Sequence, residues 1–254
     1  MNRDTLRQYV EFYRDLGIDT LYRREGPQAE PADAPAEPMK TVSEKKSSPA
    51  AGTLSIALPP LAPENDTLHR ILEDIGDCKR CGLHATRSKI VFGTGNVNAK
   101  LVFVGEGPGA DEDEQGIPFV GRAGQLLTQM INNTAHKEGI PIVREDVYIC
   151  NVVKCRPPGN RTPLPDEMEI CGQFLYRQLQ AIRPAAICAL GSTAAKALLN
   201  TKDGVTRLRG KWHKWHDIPL MVTFHPSYLL RPYNQEAKRE AWEDLKKVLH
   251  YVYD

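Results

Sequence analysis

Long hydrophobic runs are missing from this chain. No stretch of its 254 residues approaches the roughly 20 consecutive apolar side chains that a membrane-spanning helix needs, so a helical span is excluded. The N-terminus, MNRDTLRQYVEFYRDL, has no uninterrupted apolar core and mixes both charge signs, so no signal peptide is read there and a cytoplasmic location is expected. Strong net charge is missing as well. The total is +1, divided as −3 over residues 1–66 and +4 over the remainder, and a mildly basic main portion suits a polyanion without requiring one. Cysteines number only six, and in a reducing compartment they are not a disulfide framework, so paired cysteines suggest metal ligation.

What is present divides into three regions. Residues 1–25 place Leu6, Tyr9, Val10, Tyr13 and Leu16 at helical spacing, which predicts an amphipathic helix, either a cap on the main domain or a tethered helix that docks a protein partner. Residues 26–65 form a Pro/Ala/Glu/Ser-rich linker with no periodic pattern, expected as a disordered tether. From residue 66 to 254 the pattern is α/β. Asp66 is the expected N-cap of the helix DTLHRILEDIGD. Apolar runs at 101–105, 147–152, 186–191 and 219–224 read as buried parallel strands, with helical patterns near 122–138, 165–182, 191–200 and 235–252 between and after them. The expectation is a three-layer α/β/α sandwich on a central, mainly parallel four-stranded sheet, with ligands beyond the carboxyl ends of the strands.

Cys78 and Cys81 make a CxxC after the first helix, Cys155 follows the second strand, and Cys171 lies in the next helix. Two such pairs at element ends could supply four thiolates to one centre, and spacing alone does not choose between zinc and an iron–sulfur cluster. Cys150 and Cys188 fall inside strand runs, where a small buried thiol is the default.

Gly105–Ala110 formally matches the dinucleotide fingerprint, but Asp111, Glu112, Asp113 and Glu114 follow at once and would repel a pyrophosphate, and no second strand ending in an acid follows. What remains is a Gly-rich loop that lets a ligand approach the backbone, leading to Phe119, which reads as a core residue or a stacking platform. The segment FHPSYLLR puts His225 after the fourth strand, with Leu229 and Leu230 as an apolar tip beside a phosphate-binding Arg231. Arg156 and Arg161 sit in a loop that is either a solvated turn or a contact to a DNA backbone. Arg207, Arg209, Lys211, Trp212, Lys214 and Trp215 fit an ordinary hairpin or a DNA-facing edge.

GEGPGADEDEQGIPFVGRAGQLL, YICNVVKCRPPGNRTPLPDE and TFHPSYLLRP, with the four cysteines in this order, resemble the family 4 uracil-DNA glycosylases, which are related to the N-terminal region of a phage DNA polymerase. The resemblance spans roughly residues 66–252. It implies a base-excision-repair enzyme that flips deoxyuridine out of DNA and hydrolyses its N-glycosidic bond. It further implies a 4Fe-4S cluster on Cys78, Cys81, Cys155 and Cys171, uracil stacked on Phe119, its Watson–Crick edge on Asn151 and its O2 at His225. Leu229 or Leu230 would fill the gap in the duplex, Glu106 matches a position associated with activity, and Glu112 or Asp113 are further candidates. Backbone donors are expected from the Gly105–Gly109 loop, and Gly107 stands where the wider superfamily carries a water-positioning Asp. The resemblance implies uracil-containing DNA as partner and a monomer. A competing reading is a non-catalytic iron–sulfur DNA-binding module associated with a polymerase, which needs the cysteines but not Asn151 and His225. A relative that traps DNA through a His in an inserted loop is a further one, and no such insert follows Cys155.

Overall fold

The computed structural model describes residues 66–254; the expected N-terminal helix and linker lie outside the described residues. Helix α1 (Leu68–Ile75) opens the domain, and Thr67 rather than Asp66 caps it, its Oγ1 accepting from the Arg70 N–H at 3.2 Å. Asp66 is taken instead by Arg177, whose Nε donates to it at 2.6 Å. A carboxylate within reach of a guanidinium gains a charge-assisted bond there, which leaves the cap to its neighbour.

The strands are β1 (Thr94–Gly95), β2 (Leu101–Gly105), β3 (Tyr148–Asn151), β4 (Ala186–Leu190), β5 (Trp212–Trp215) and β6 (Ile218–Thr223). They form one sheet in the order β1-β3-β2-β4-β6-β5. The central four are parallel and coincide with the four apolar runs; the sheet is extended by an antiparallel strand at each edge, giving six strands where four were expected. Both additions evade an apolar-run reading. The first is two residues long, and the second alternates exposed and inward side chains over Trp212–Trp215.

Side chains alternate across the sheet with the period of two that strand geometry imposes. Val102, Val104, Tyr148, Cys150, Ile187, Ala189 and Val222 point to one core, shared with α1 and α4 (Pro165–Ile182). Leu101, Phe103, Ile149, Cys188, Leu190 and Met221 point to the other, shared with α3 (Arg122–Lys137) and α8 (Gln235–Tyr253). The fold is therefore the expected three-layer sandwich. Short helices α2 (Ala110–Gln115), α5 (Ser192–Leu199), α6 (Val205–Leu208) and α7 (Pro226–Leu229) complete it.

The basic stretch near residue 210 enters a hairpin, its Arg209 end lying beside Phe224 at the carboxyl end of β6. Trp215 pairs with Ile218 at the start of β6, the end of the sheet opposite His225, and is itself buried. Arg209 is committed to α8: its Nε and Nη2 donate to Asp244 at 3.0 and 2.8 Å, and Thr223 Oγ1 donates to the same carboxylate at 2.8 Å. Asp244→Ala leaves the Thr223 hydroxyl without its acceptor and Arg209 with Glu240 alone, so it is expected to lower unfolding free energy by about 1–3 kcal/mol. A reduced urea midpoint with an unchanged slope is the readout.

Candidate active site

The carboxyl ends of the central strands open onto a cleft of about 460 Å³, large enough for a nucleoside. Its floor includes Asn151, which is adjacent to Gly105 across β3 and β2. Asn151 is 1% exposed, and its Oδ1 is buried with no hydrogen-bond partner. An unmet buried acceptor costs about 1–3 kcal/mol, a penalty that a donor on a bound ligand would relieve.

Phe119 lies beside that amide with φ +55°, a left-handed conformation that is unusual for a bulky side chain and marks a position fixed by its surroundings. Arg144 grips this loop from behind, donating to Pro118 O at 2.9 Å and Gly124 O at 3.3 Å. Glu112 grips it from the front, accepting from the Val120 and Gly121 N–H groups at 2.9 and 2.8 Å. Two glycines make the approach possible. A Cβ on Gly105 would run into both Asn151 Oδ1 and the Phe119 ring, and one on Gly124 would overlap the Phe119 backbone. The amide, the ring and the bare strand end are thus packed as one surface.

His225 completes the surface, its ring centroid 5.7 Å from that of Phe119. The Ser227 N–H donates to His225 Nδ1 at 3.2 Å, and Ser227 Oγ lies 2.7 Å from the same nitrogen. A backbone N–H can only donate, so Nδ1 is bare and the neutral ring carries its proton on Nε2. Burial pushes the imidazole pKa down to about 4, against the opposing pull of Glu112. The ring is a neutral donor at physiological pH.

Glu106 lines the same cleft, with Oε2 accepting from Thr193 Oγ1 at the start of α5. No side chain fits at Gly107, where a Cβ would sit 2.7 Å from Val153 Cγ2. Of the further acidic candidates, Glu112 lines the cleft while clamping the loop. Asp113 is buried away from it, accepting from Ser88 N–H at 2.9 Å.

At the rim the expectations separate. Leu229 is 1% exposed and packs into the α3/α8 core, so it does not form an exposed tip; Leu230 is half-buried against the same core. The turn of α7 sends positions 226 and 229 inward together and leaves Tyr228 and Arg231 outside, the guanidinium 5.7 Å from the Tyr228 ring. Arg161 and Asn160 line the cleft, but Arg161 makes a bidentate pair with Glu167 at 2.8 and 2.6 Å, and Arg156 Nε donates to Asn160 at 2.8 Å. These arginines are tied into the loop rather than left free.

Cys78, Cys81, Cys155 and Cys171 surround one small cavity between α1, α4 and the end of β3. Donors are aimed at their sulfurs. The Lys154 N–H reaches Cys171 Sγ at 3.2 Å, Arg87 Nη1 lies 3.6 Å from Cys155 Sγ, and Arg80 Nη1 lies 3.7 Å from Cys78 Sγ. Burial pushes the Cys155 thiol up to about 12 and raises Cys171 and Cys81 as well. Thiols so placed become thiolates only when a cationic centre compensates them. Among the described residues no three His, Cys, Asp or Glu groups converge as ligands of a single metal ion.

Residues 92–246 match the model of the uracil DNA glycosylase superfamily. A type-4 uracil-DNA glycosylase of Thermotoga maritima is 46% identical over 184 residues, covering 72% of this chain and 93% of that protein. The chain belongs to this family. A type-4 uracil-DNA glycosylase of Archaeoglobus fulgidus is 44% identical over 191 residues, covering 72% of this chain and 92% of the relative. A DNA polymerase of Bacillus phage SP01 is 29% identical over 147 residues, which are 15% of the polymerase.

Thr193, Ser227 and Lys154 escaped the sequence reading of this glycosylase site. Ser227 carried a faint signal, a hydroxyl residue two positions after a candidate histidine. Thr193 carried none, because its partner Glu106 is 87 residues away.

Proposed function

We propose that this chain is a uracil-DNA glycosylase of base excision repair, and that Asn151, Phe119 and His225 together hold one extruded uracil. The observation that carries the reading is the buried, unpartnered Asn151 Oδ1 next to an aromatic ring and a neutral imidazole donor. A base inside a duplex cannot reach such a cleft, so the nucleotide is flipped at a cost of a few kcal/mol, least where uracil is mispaired. Phe119 offers its face to the ring. The Asn151 amide accepts from uracil N3–H and donates to O4. Cytosine reverses both polarities and would leave buried groups unmatched.

The glycosidic bond breaks with its electron pair leaving on uracil while positive charge grows on the sugar. His225 Nε2–H is placed to donate to O2 as that charge develops, together with N–H groups of the Gly105–Gly109 loop. Water then adds to the sugar carbon and gives up a proton, which the departing uracil anion takes up; Glu106 is the carboxylate that orients the water, held in place by Thr193. The products are free uracil and an abasic site. Arg231 contacts the DNA backbone, as do the part-exposed edges of Arg156 and Arg161 that their ties to Asn160 and Glu167 leave open, with Leu230 and Tyr228 beside the vacated position.

The four cysteines fit a 4Fe-4S cluster: four sulfurs round one cavity, with N–H donors directed at three of them. Bound there, the cluster supplies a structural crosslink between α1, α4 and the loop after β3. Cys155→Ser is expected to lower iron and sulfide content and to loosen the 156–161 loop, measured as faster amide exchange there.

Incubation with a uracil-containing oligonucleotide tests the function. Wild type should release uracil and leave alkali-labile DNA. An inert wild type that still binds the DNA would favour the non-catalytic module.

A further inference from the structure

Behind the base-reading amide lies a buried lysine. Lys154 is 1% exposed, and its Nζ donates to the Asn151 carbonyl at 2.8 Å and to Gln178 Oε1 at 2.6 Å. Both acceptors are neutral, and among the described residues no carboxylate is paired with this amine. Gln178, fully buried, is itself fixed by donating to Phe92 O at 3.1 Å and to Tyr148 Oη at 3.2 Å. It lies seven residues after Cys171 on α4, two turns along, so the helix face that presents a cluster cysteine also presents the lysine's acceptor. Lys154's own N–H donates to Cys171 Sγ.

Burying an amine against neutral acceptors is a poor way to gain stability, since an apolar side chain of similar volume would pack there at lower cost. What the arrangement secures is position. The Asn151 carbonyl closes β3, and its side-chain amide projects into the cleft from the same residue. An anchor on the carbonyl fixes the strand end from which the amide reaches a base.

We infer that Lys154 is a positioning residue for uracil recognition, holding Asn151 from behind and tying it through Gln178 to the helix that carries Cys171. This rests on the proposed role of Asn151. Loss of such supporting contacts typically costs about 10–100-fold.

The test uses Lys154→Met and Gln178→Met in the full chain, with Asn151→Ala alongside. Three quantities are read: iron and sulfide content, kcat and KM for uracil release, and affinity for two DNAs. One DNA carries uncleavable 2′-fluoro-deoxyuridine, the other an abasic analogue. The expected result is full iron content, a kcat lowered about 10–100-fold, a matching loss of affinity for the fluorodeoxyuridine DNA and unchanged affinity for the abasic DNA. Equal losses on both DNAs, or a loss that follows iron content, would make Lys154 merely structural and overturn the inference. Unchanged kinetics would overturn it too. Should Lys154→Met fail to fold, Gln178→Met keeps the amine and carries the same expectation. If Asn151→Ala itself retains the preference for fluorodeoxyuridine, the base-reading role of Asn151 fails; if it loses the preference while Lys154→Met keeps it, only the positioning role fails.

Discussion

Asn151→Ala should lower kcat for uracil release by about 10²–10³-fold, with affinity for abasic DNA little changed and the preference for fluorodeoxyuridine DNA lost. Among the described residues, Asn151 Oδ1 is the one side-chain polar atom lining the cleft that is both buried and without a partner. It is therefore free to accept from a ligand. Truncation leaves a void next to Gly105, where uracil loses a donor and an acceptor at once. The effect belongs in kcat because an extruded base that is not gripped returns to the stack before its bond breaks. Single-turnover rates on single-stranded and mispaired substrates are the check. Comparable losses on both would place the defect in recognition rather than in extrusion.

His225→Ala should cost about 10²–10³-fold as well, for a different reason. The Ser227 N–H fixes the tautomer, so the wild-type ring presents Nε2–H toward the cleft without any positive charge. With a pKa of about 4, the ring is neutral throughout the range of roughly pH 5–8, and this residue contributes no slope to the rate there. As pH falls through about 4 the ring gains a proton on Nδ1 and meets the Ser227 N–H donor to donor, so activity should decline. The sign is that of a depressed pKa: the working form is the deprotonated one, present above the folded-state pKa and lost below it. In His225→Ala the residual rate should lack that acid limb. His225→Gln restores a donor at a similar distance and should recover part of the loss.

Much of this architecture was legible because it rests on local rules. The four parallel strands are near-continuous apolar runs, as strands buried on both faces must be. The alternation inside them sorts Cys150 and Cys188 into opposite cores, consistent with reading both as buried thiols. The placing of Asn151 and His225 follows from strands that end where apolar runs end. The remainder depends on pairings distant in sequence. The two edge strands have little apolar pattern of their own and are recruited by β3 and β6. Asp66 reads as a cap until Arg177, 111 residues on, claims it. Leu229 reads as an exposed tip until the helical turn at Pro226 rotates it inward. Lys154 draws no reading from the sequence, and the fold places it inside.

The clamps on Phe119 could not be read locally either. Glu112, in an acidic run, is a loop clip rather than a repelling charge, and Arg144 closes the same loop from 20 or more residues away. Together they hold a strained aromatic in a left-handed conformation, and that conformation turns a loop residue into a platform.

A crystal structure with DNA containing 2′-fluoro-deoxyuridine tests the central claim most directly. It should show a single extruded uracil lying on Phe119, with Asn151 Oδ1 at N3, its amide nitrogen at O4, and His225 Nε2 at O2. A base left stacked in the duplex, or bound elsewhere with Asn151 Oδ1 still unpartnered, would contradict it.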